Sequence, residues 1–214
     1  MNKLIFFLTI IIISLPLQSQ EKEGEVKTLF GNKEFEFGGY GCPEIKFTSF
    51  MQQYAIMVGG RAGWVIDHTF TIGGGGYGLV SSVEAPDFYH PDDLTDTRQY
   101  YFQIGYGGLF LEYTHSSNSL VHFTVNTLIG AGGASFTPYR YGMNNNMGYD
   151  NNRYDNSAFF VVEPGIGVEL NIFKFFRIEL GASYRYISGM DLNGFGSAWY
   201  NEPSANLAFK FGSF

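Results

Sequence analysis

From residue 34 onward, apolar and polar residues alternate with a period of two, and this pattern restricts the fold more than any other feature of the chain. Strict alternation puts one set of side chains on each face of a strand, so it predicts strands that are apolar on one side only. The stretch 176–187 is the clearest. Phe176, Ile178, Leu180, Ala182, Tyr184 and Tyr186 share one face, against Arg177, Glu179, Gly181, Ser183 and Arg185. In 160–172, Val162, Pro164, Ile166, Val168 and Leu170 oppose Glu163, Gly165, Gly167, Glu169 and Asn171. In 205–212, Leu207, Phe209 and Phe211 oppose Asn206, Ala208 and Lys210.

Five more stretches read as strands: 35–48, 54–66, 70–80, 100–113 and 120–135. Phe37, Ile45 and Phe47 oppose Tyr40, Glu44, Lys46 and Thr48; Tyr54, Val58 and Trp64 oppose Met57 and Arg61; Phe123, Val125 and Ile129 oppose His122, Thr124 and Asn126. The alternation slips at Gly73–Gly76 and at Gly107-Gly108, where bulges or bends are expected. No apolar set repeats at helical spacing. Eight strands result, an even number, each near the roughly 9–11 residues that cross a bilayer when tilted.

The connections are unequal. The segments 81–98, 137–156 and 188–203 are long and polar, while Asp67-His68, His115–Ser119 and Phe173-Lys174 are tight. The connection near Met51 is short but lies on the long side. Aromatic residues cluster at both ends: Trp64, Phe70, Tyr113, Phe173 and Phe175 near the tight turns, and Tyr54, Tyr100, Tyr101, Phe136, Phe160 and Tyr186 near the long loops. Such rings favour the two membrane–water interfaces. Composition agrees. Only 15% of residues are charged and 18% are aromatic, yet mean hydropathy is −0.05; a soluble domain carries about 25% charged residues. The expected fold is therefore all-β, an eight-stranded antiparallel up-and-down transmembrane β-barrel over residues 35–214. A soluble secreted barrel would have to enclose the bulky Phe and Ile residues, and eight strands leave little room for that.

Residues 1–20 read as a secretory signal peptide. Lys3 precedes the apolar run Leu4–Leu15, Pro16 ends it, and Gln18-Ser19-Gln20 leads to an acidic start at Glu21. The run is shorter than the roughly 20 residues of a spanning helix. Residues 21–34 are polar and are expected to form a periplasmic lead-in. Loss of residues 1–20 removes Lys3 and no other charge, taking the formal net charge from −7 to −8. That excludes nucleic acid as a natural partner. The single cysteine, Cys42, excludes an intramolecular disulfide.

The inward faces carry Glu36, Glu44, Glu163, Glu169 and Glu179 beside Lys46, Arg61, Arg177, Arg185 and Lys210. Buried charges must pair, so these residues are expected to form an interior ion-pair network that plugs the barrel. A proton or ion pathway is the competing reading. Inner glycines such as Gly59, Gly130, Gly165 and Gly167 would leave space for a narrow channel for small or apolar solutes.

Other motifs carry less. Gly73–Gly78 matches G-x-G-x-x-G, but no helix follows to take a pyrophosphate, so no cofactor is expected. The loop 81–98 holds Glu84, Asp87, His90, Asp92, Asp93 and Asp96 without any metal-loop spacing; no metal site is assigned, and divalent ions bridging lipopolysaccharide phosphates are its functional alternative. The loop 137–156 is the candidate interaction loop, with Tyr139, Arg140, Tyr141, Tyr149, Arg153 and Tyr154 among asparagines. Residues of this kind make adaptable recognition surfaces. A lipid-modifying enzyme would need a His–Ser pair at the outer leaflet. His115-Ser116 falls at a tight turn, His122 neighbours only Thr124, and His90 has no placed partner, so no catalytic residue is assigned.

The leader, the eight alternating strands, the one-sided long loops and the final Phe214 resemble the small outer-membrane barrels of the OmpA/OmpX type, as architecture over residues 35–214. The Phe-, Tyr- and Asn-rich composition resembles proteins of the Bacteroidota. Phe214 departs from the family pattern, because it has the parity of inward Lys210 rather than of outward Phe211. The resemblance implies a non-enzymatic protein of the bacterial outer membrane, serving membrane structure or surface interaction. Its implied partners are outer-membrane lipid, lipopolysaccharide or an extracellular ligand at the loops, and the assembly machinery during biogenesis. If the leader reading is right, the exported protein starts at Glu21; an intact mass that retains residues 1–20 would refute it.

Overall fold

In a computed structural model, the structure describes residues 36–86, 99–137, 156–192 and 195–214. The leader and lead-in, the acidic residues 87–96 and the tyrosines of the 137–156 loop lie outside the described residues. Eight long strands run in chain order: β1 (Phe37–Phe50), β2 (Gln53–Ile66), β3 (Phe70–Leu79), β4 (Tyr101–His115), β5 (Val121–Thr137), β6 (Asn156–Phe173), β7 (Phe176–Ser188) and β8 (Glu202–Ser213). Each pairs antiparallel with its neighbours in sequence, β8 pairs with β1, and the sheet closes into a barrel. Closure leaves no long unpaired edge.

Parity decides which way each side chain points. Along β6 and β7 the even-numbered residues face outward and the odd-numbered ones inward, without interruption from Phe160 to Leu170 and from Arg177 to Ile187. Phe37, Tyr54, Trp64, Phe70, Ile166 and Leu180 are exposed on the outer wall, as the alternation requires. Outer side chains of this kind suit a wall that faces lipid.

The expected bulges at glycine are absent. Pairing of β3 with β2 and with β4 runs without a shift through Gly73–Gly76, and pairing of β4 with β5 runs through Gly107-Gly108. What changes there is the chemistry of the interior. Below the glycines the inward positions are polar, as at Thr71 and Glu112; above them they are apolar, as at Tyr77, Leu79, Phe102 and Ile104. The alternation inverts in polarity while its geometry continues. The register shift along the long strands falls instead between Asn171 and Phe173, beside the β6–β7 turn.

The upper, long-loop end of the barrel is therefore filled by an apolar cork. Phe50, Phe102, Phe136, Val161 and Ile187 are fully or almost fully buried within it. Chain from the loops folds in as well: Val83 and Ala85 from one, and Met190, Leu192 and Tyr200 from another. Tyr200 stacks on Phe102 at 5.2 Å between centroids. Tyr100 and Phe136, expected in the upper aromatic girdle, are 6% and 0% exposed and belong to this cork.

At the opposite end the turns are tight. Asp67 and His68 both adopt positive φ, 53° and 54°, as a two-residue hairpin turn demands. Glu36, expected inside, lies just before β1 with its side chain 74% exposed, and its carboxylate sits 2.6 Å from His68 Nε2. This hydrogen bond, with a second to the Phe214 backbone, raises the His68 pKa above its ordinary value. The pair therefore contributes stability that is fully present below about pH 6.5, the ordinary histidine value, and is lost as pH rises through the higher folded value. Titration of the His68 ring by NMR should read above that ordinary value and fall back toward it in Glu36→Gln; no change between the two proteins would refute the assignment.

Candidate functional site: the charged interior

Below the cork the barrel holds five buried carboxylates (Glu44, Glu112, Glu163, Glu169, Glu179) and five buried cations (Lys46, Arg61, Arg177, Arg185, Lys210), so the layer is formally neutral apart from His122. The ten groups come from six strands; β5 adds His122 and β3 adds Tyr77. Alternation alone delivers them inward. Which groups meet is set by the register of the sheet.

Lys210 lies at the centre. Its ammonium is 2.8 Å from both carboxylate oxygens of Glu112 and 2.9 Å from Glu179 Oε2, and it also bonds Glu169. The three carboxylates offer oxygens within 4.8 Å of one another, a spacing that could suit a metal ion. The lysine ammonium already occupies that position, satisfying the carboxylates with a tethered cation.

Arg61 extends the cluster upward. It donates to Glu179 at 2.5 Å, lies 3.1 Å from Glu44 and packs its guanidinium 4.7 Å above the Phe110 ring. Three phenols add donors to the carboxylates, while Glu44 Oε1 stays without a hydrogen-bond partner. Tyr40 donates to Glu112 at 2.9 Å, Tyr77 to Glu44 at 2.8 Å and Tyr106 to Glu163 at 2.6 Å. Lys46 pairs with Glu163 at 2.7 Å, and Ser183 donates to the same oxygen at 2.6 Å. Each carboxylate therefore meets several donors, the condition under which a buried charge is tolerated.

The two ends differ. At the lower mouth Arg177 lies 3.4 Å from Glu169 Oε2, and its guanidinium sits 3.9 Å over the Phe214 ring. Phe214 packs against Tyr40 as well, at 5.7 Å between centroids. Its inward parity thus places it across the mouth and not on the lipid wall. At the upper boundary Arg185, expected in the ion-pair network, makes no ion pair among the described residues. It donates to the Tyr200 carbonyl, Met57 Sδ and Thr48 Oγ1, and lies 4.2 Å over Phe50. It joins the charged layer to the cork by hydrogen bonds and a cation–π contact.

Of the sequence-assigned residues, Glu44, Lys46, Arg61, Glu163, Glu169, Arg177, Glu179 and Lys210 are brought together as ion pairs. Glu112, His122 and the three tyrosines were not assigned. Glu112 was hidden by the apparent slip at Gly107-Gly108, although it shares parity with inward Phe110. Glu84, read in the acidic loop, pairs along β4 through its backbone and is clasped by the Gln53 amide. Tyr139, Arg140, Tyr141, Tyr149, Arg153 and Tyr154 lie outside the described residues.

No nucleophile–base pair emerges from the candidate histidines that are described. His122 Nε2 lies 2.9 Å from Glu169, and Nδ1 faces the Ser119 carbonyl. Thr124 has a hydroxyl without a hydrogen-bond partner. His115 is exposed beside Tyr113 at the lower turn. The space expected at the inner glycines is taken too. A Cβ on Gly167 would lie 2.7 Å from Thr124 Oγ1 and 2.9 Å from Glu179 Cγ, and one on Gly165 would lie 2.6 Å from Asn126 Oδ1.

Removing one partner of a buried charge cluster leaves the others uncompensated, at a cost of about 3–5 kcal/mol. Lys210→Met should lower the stability of the refolded protein by that order in urea titrations. Arg177→Met, at the mouth, should cost less. Equal, near-zero losses would show that the network does not hold the barrel.

No family model and no curated protein sequence matches the chain. Among solved structures it is similar to Neisserial surface protein A, with a TM-score of 0.55 and 12% identity over 84% of this chain and 99% of that one. It also aligns with Ail, the attachment invasion locus protein of Yersinia pestis. The TM-score is 0.44, at 10% identity over 82% of this chain and 97% of that one. A second Ail structure, with the heparin analogue sucrose octasulfate, gives 0.45. At such identities the likeness is one of fold: the chain is built as a closed eight-stranded antiparallel barrel of the small outer-membrane type.

Proposed function

We propose that this protein is a non-enzymatic outer-membrane barrel with a plugged interior, acting in membrane structure or in surface interaction through its external loops. The observation that carries the reading is the two-layer filling of the lumen: a neutral, hydrogen-bonded ion-pair network under an apolar cork. A lumen filled in this way favours work done on the outside. The lipid-facing wall and its aromatic residues support insertion among outer-membrane lipids. The signal-like residues 1–20 support export across the inner membrane, with delivery to the outer-membrane assembly machinery.

The loops 81–98, 137–156 and 188–203 would then be displayed on a rigid scaffold, where variable segments commonly carry recognition. Lipopolysaccharide or an extracellular ligand is the proposed partner class, with Tyr139, Arg140, Tyr141, Tyr149, Arg153 and Tyr154 as the first residues to test. A channel for small solutes is less well supported, because side chains at Gly165 and Gly167 and neighbouring backbone at Gly59 and Gly130 take the places where inner glycines would have left room. Lipid-modifying catalysis has no described His–Ser pair behind it.

Solute flux through liposomes carrying the refolded protein tests this reading. Efflux of potassium and of small sugars should not exceed that of empty liposomes. Clear flux would overturn the plugged interior and make transport past Arg61, Arg177 and Glu169 the leading function.

A further inference from the structure

One side chain lies across the lower mouth of the barrel. Phe214 follows β8, and the pairing of β8 with β1 ends one residue before it, at Gly39 and Ser213. Its ring is therefore held by contacts and not by the ladder. The Arg177 guanidinium lies 3.9 Å from the ring centroid, and the Tyr40 ring lies 5.7 Å away. The ring also packs against a small buried cluster of Tyr40, Cys42, Val65 and Ala208. Arg177 in turn lies 3.4 Å from Glu169 and 3.5 Å from His122 Nε2, and all three are buried. Phe214 thus separates the tight-turn side from the charged layer.

The backbone of Phe214 has a holder of its own. His68, in the turn between β2 and β3, hydrogen-bonds to it, while His68 Nε2 lies 2.6 Å from Glu36. The bond to Glu36, then the bond to Phe214, raises the His68 pKa; the charges of Glu36 and of Asp67 in the same turn add to this, and partial burial opposes it. An imidazolium has two N–H groups and serves both acceptors. A neutral imidazole has one, and the carboxylate, the stronger acceptor, keeps it. Deprotonation therefore releases Phe214. The holder is complete below the ordinary histidine value and is lost as pH rises through the higher value of the folded protein. The His68 and Glu36 side chains are 38% and 74% exposed. A pair this wet changes an equilibrium by a factor of roughly 2–5.

We propose that Phe214 is a movable lid over the lower mouth of the lumen, that His68 is its latch, and that release at rising pH lets water into the charged layer. The cork stays in place, so release wets the lumen from one end and opens no path through it. The inference rests on the plugged-interior reading above for that closed upper end.

Cys42 reports the position of the lid. It is the single cysteine, faces inward and is 3% exposed in the cluster that Phe214 covers. The refolded full chain, His68→Asn and Phe214→Ala are labelled with methyl methanethiosulfonate in detergent micelles. Labelling is run at about pH 5.5 and about pH 8.5, on either side of the ordinary histidine value, and mass spectrometry reads the rate. Proteins are compared at the same pH, which cancels the pH dependence of the thiol itself. Phe214→Ala should label several-fold faster than wild type. His68 has a φ of 54°, which asparagine tolerates. His68→Asn should label roughly 2–5 times faster than wild type at the lower pH, and the two should converge at the higher. Equal rates in wild type and Phe214→Ala overturn the lid. A ratio of His68→Asn to wild type that does not change with pH overturns the latch. If Phe214→Ala fails to give the compact, heat-sensitive gel band of a folded barrel, the comparison of wild type with His68→Asn decides. A leaking cork makes all three proteins label alike and lets solutes cross liposomes, whereas equal labelling without flux overturns the lid alone.

Discussion

The structure turns on one ammonium group. Lys210 reaches from β8 into the axis of the barrel and bonds carboxylates from β4, β6 and β7. Without a cation there, Glu112, Glu169 and Glu179 would be three negative charges within a few ångströms in a medium that screens poorly. With it, they become a common anchor for four strands. Arg61 ties in β2 and, through Glu44, β1. An eight-stranded barrel has an interior only about as wide as its own side chains, so such a network can span the cross-section.

The apolar cork complements this layer. Charged pairs gain strength as water is excluded, and the cork shields their upper side with Phe50, Phe102 and the folded-in loop residue Tyr200. Arg185 is the hinge between the two chemistries. Its aliphatic stem and planar head suit a boundary where one side offers Thr48 and a backbone carbonyl and the other offers a phenyl ring and a thioether. The lower mouth repeats the device with Arg177 over Phe214.

Much of this was legible from alternation, because side-chain direction in a strand follows from parity alone. The faces of β6, β7 and β8 and the inward placement of nine of the ten residues assigned to the network, all but Glu36, need nothing more. Two features were not legible, for definite reasons. Tyr100 and Phe136 read as girdle residues because an aromatic near a strand end suits either the interface or a cork, and local pattern cannot separate them. The glycine stretches of β3 and β4 read as bulges because the interior changes from polar to apolar there, and alternation by polarity mimics a slip by geometry. The partners themselves were beyond sequence reasoning, since Lys46 meets Glu163 only through the register of several intervening strand pairs.

The long sequence separations have a consequence for assembly. Lys46 and Glu163 stand 117 residues apart, Arg61 and Glu179 118, and Lys210 and Glu112 98. Local folding can therefore satisfy almost none of the central charges, and the entropy of closing such loops precedes the reward. A growing sheet that still lacks β8 holds three carboxylates around a vacant axis. The final strand is then a keystone: β8 brings the central cation and closes the seam with β1 together, so charge neutralisation and barrel closure depend on the same segment of chain.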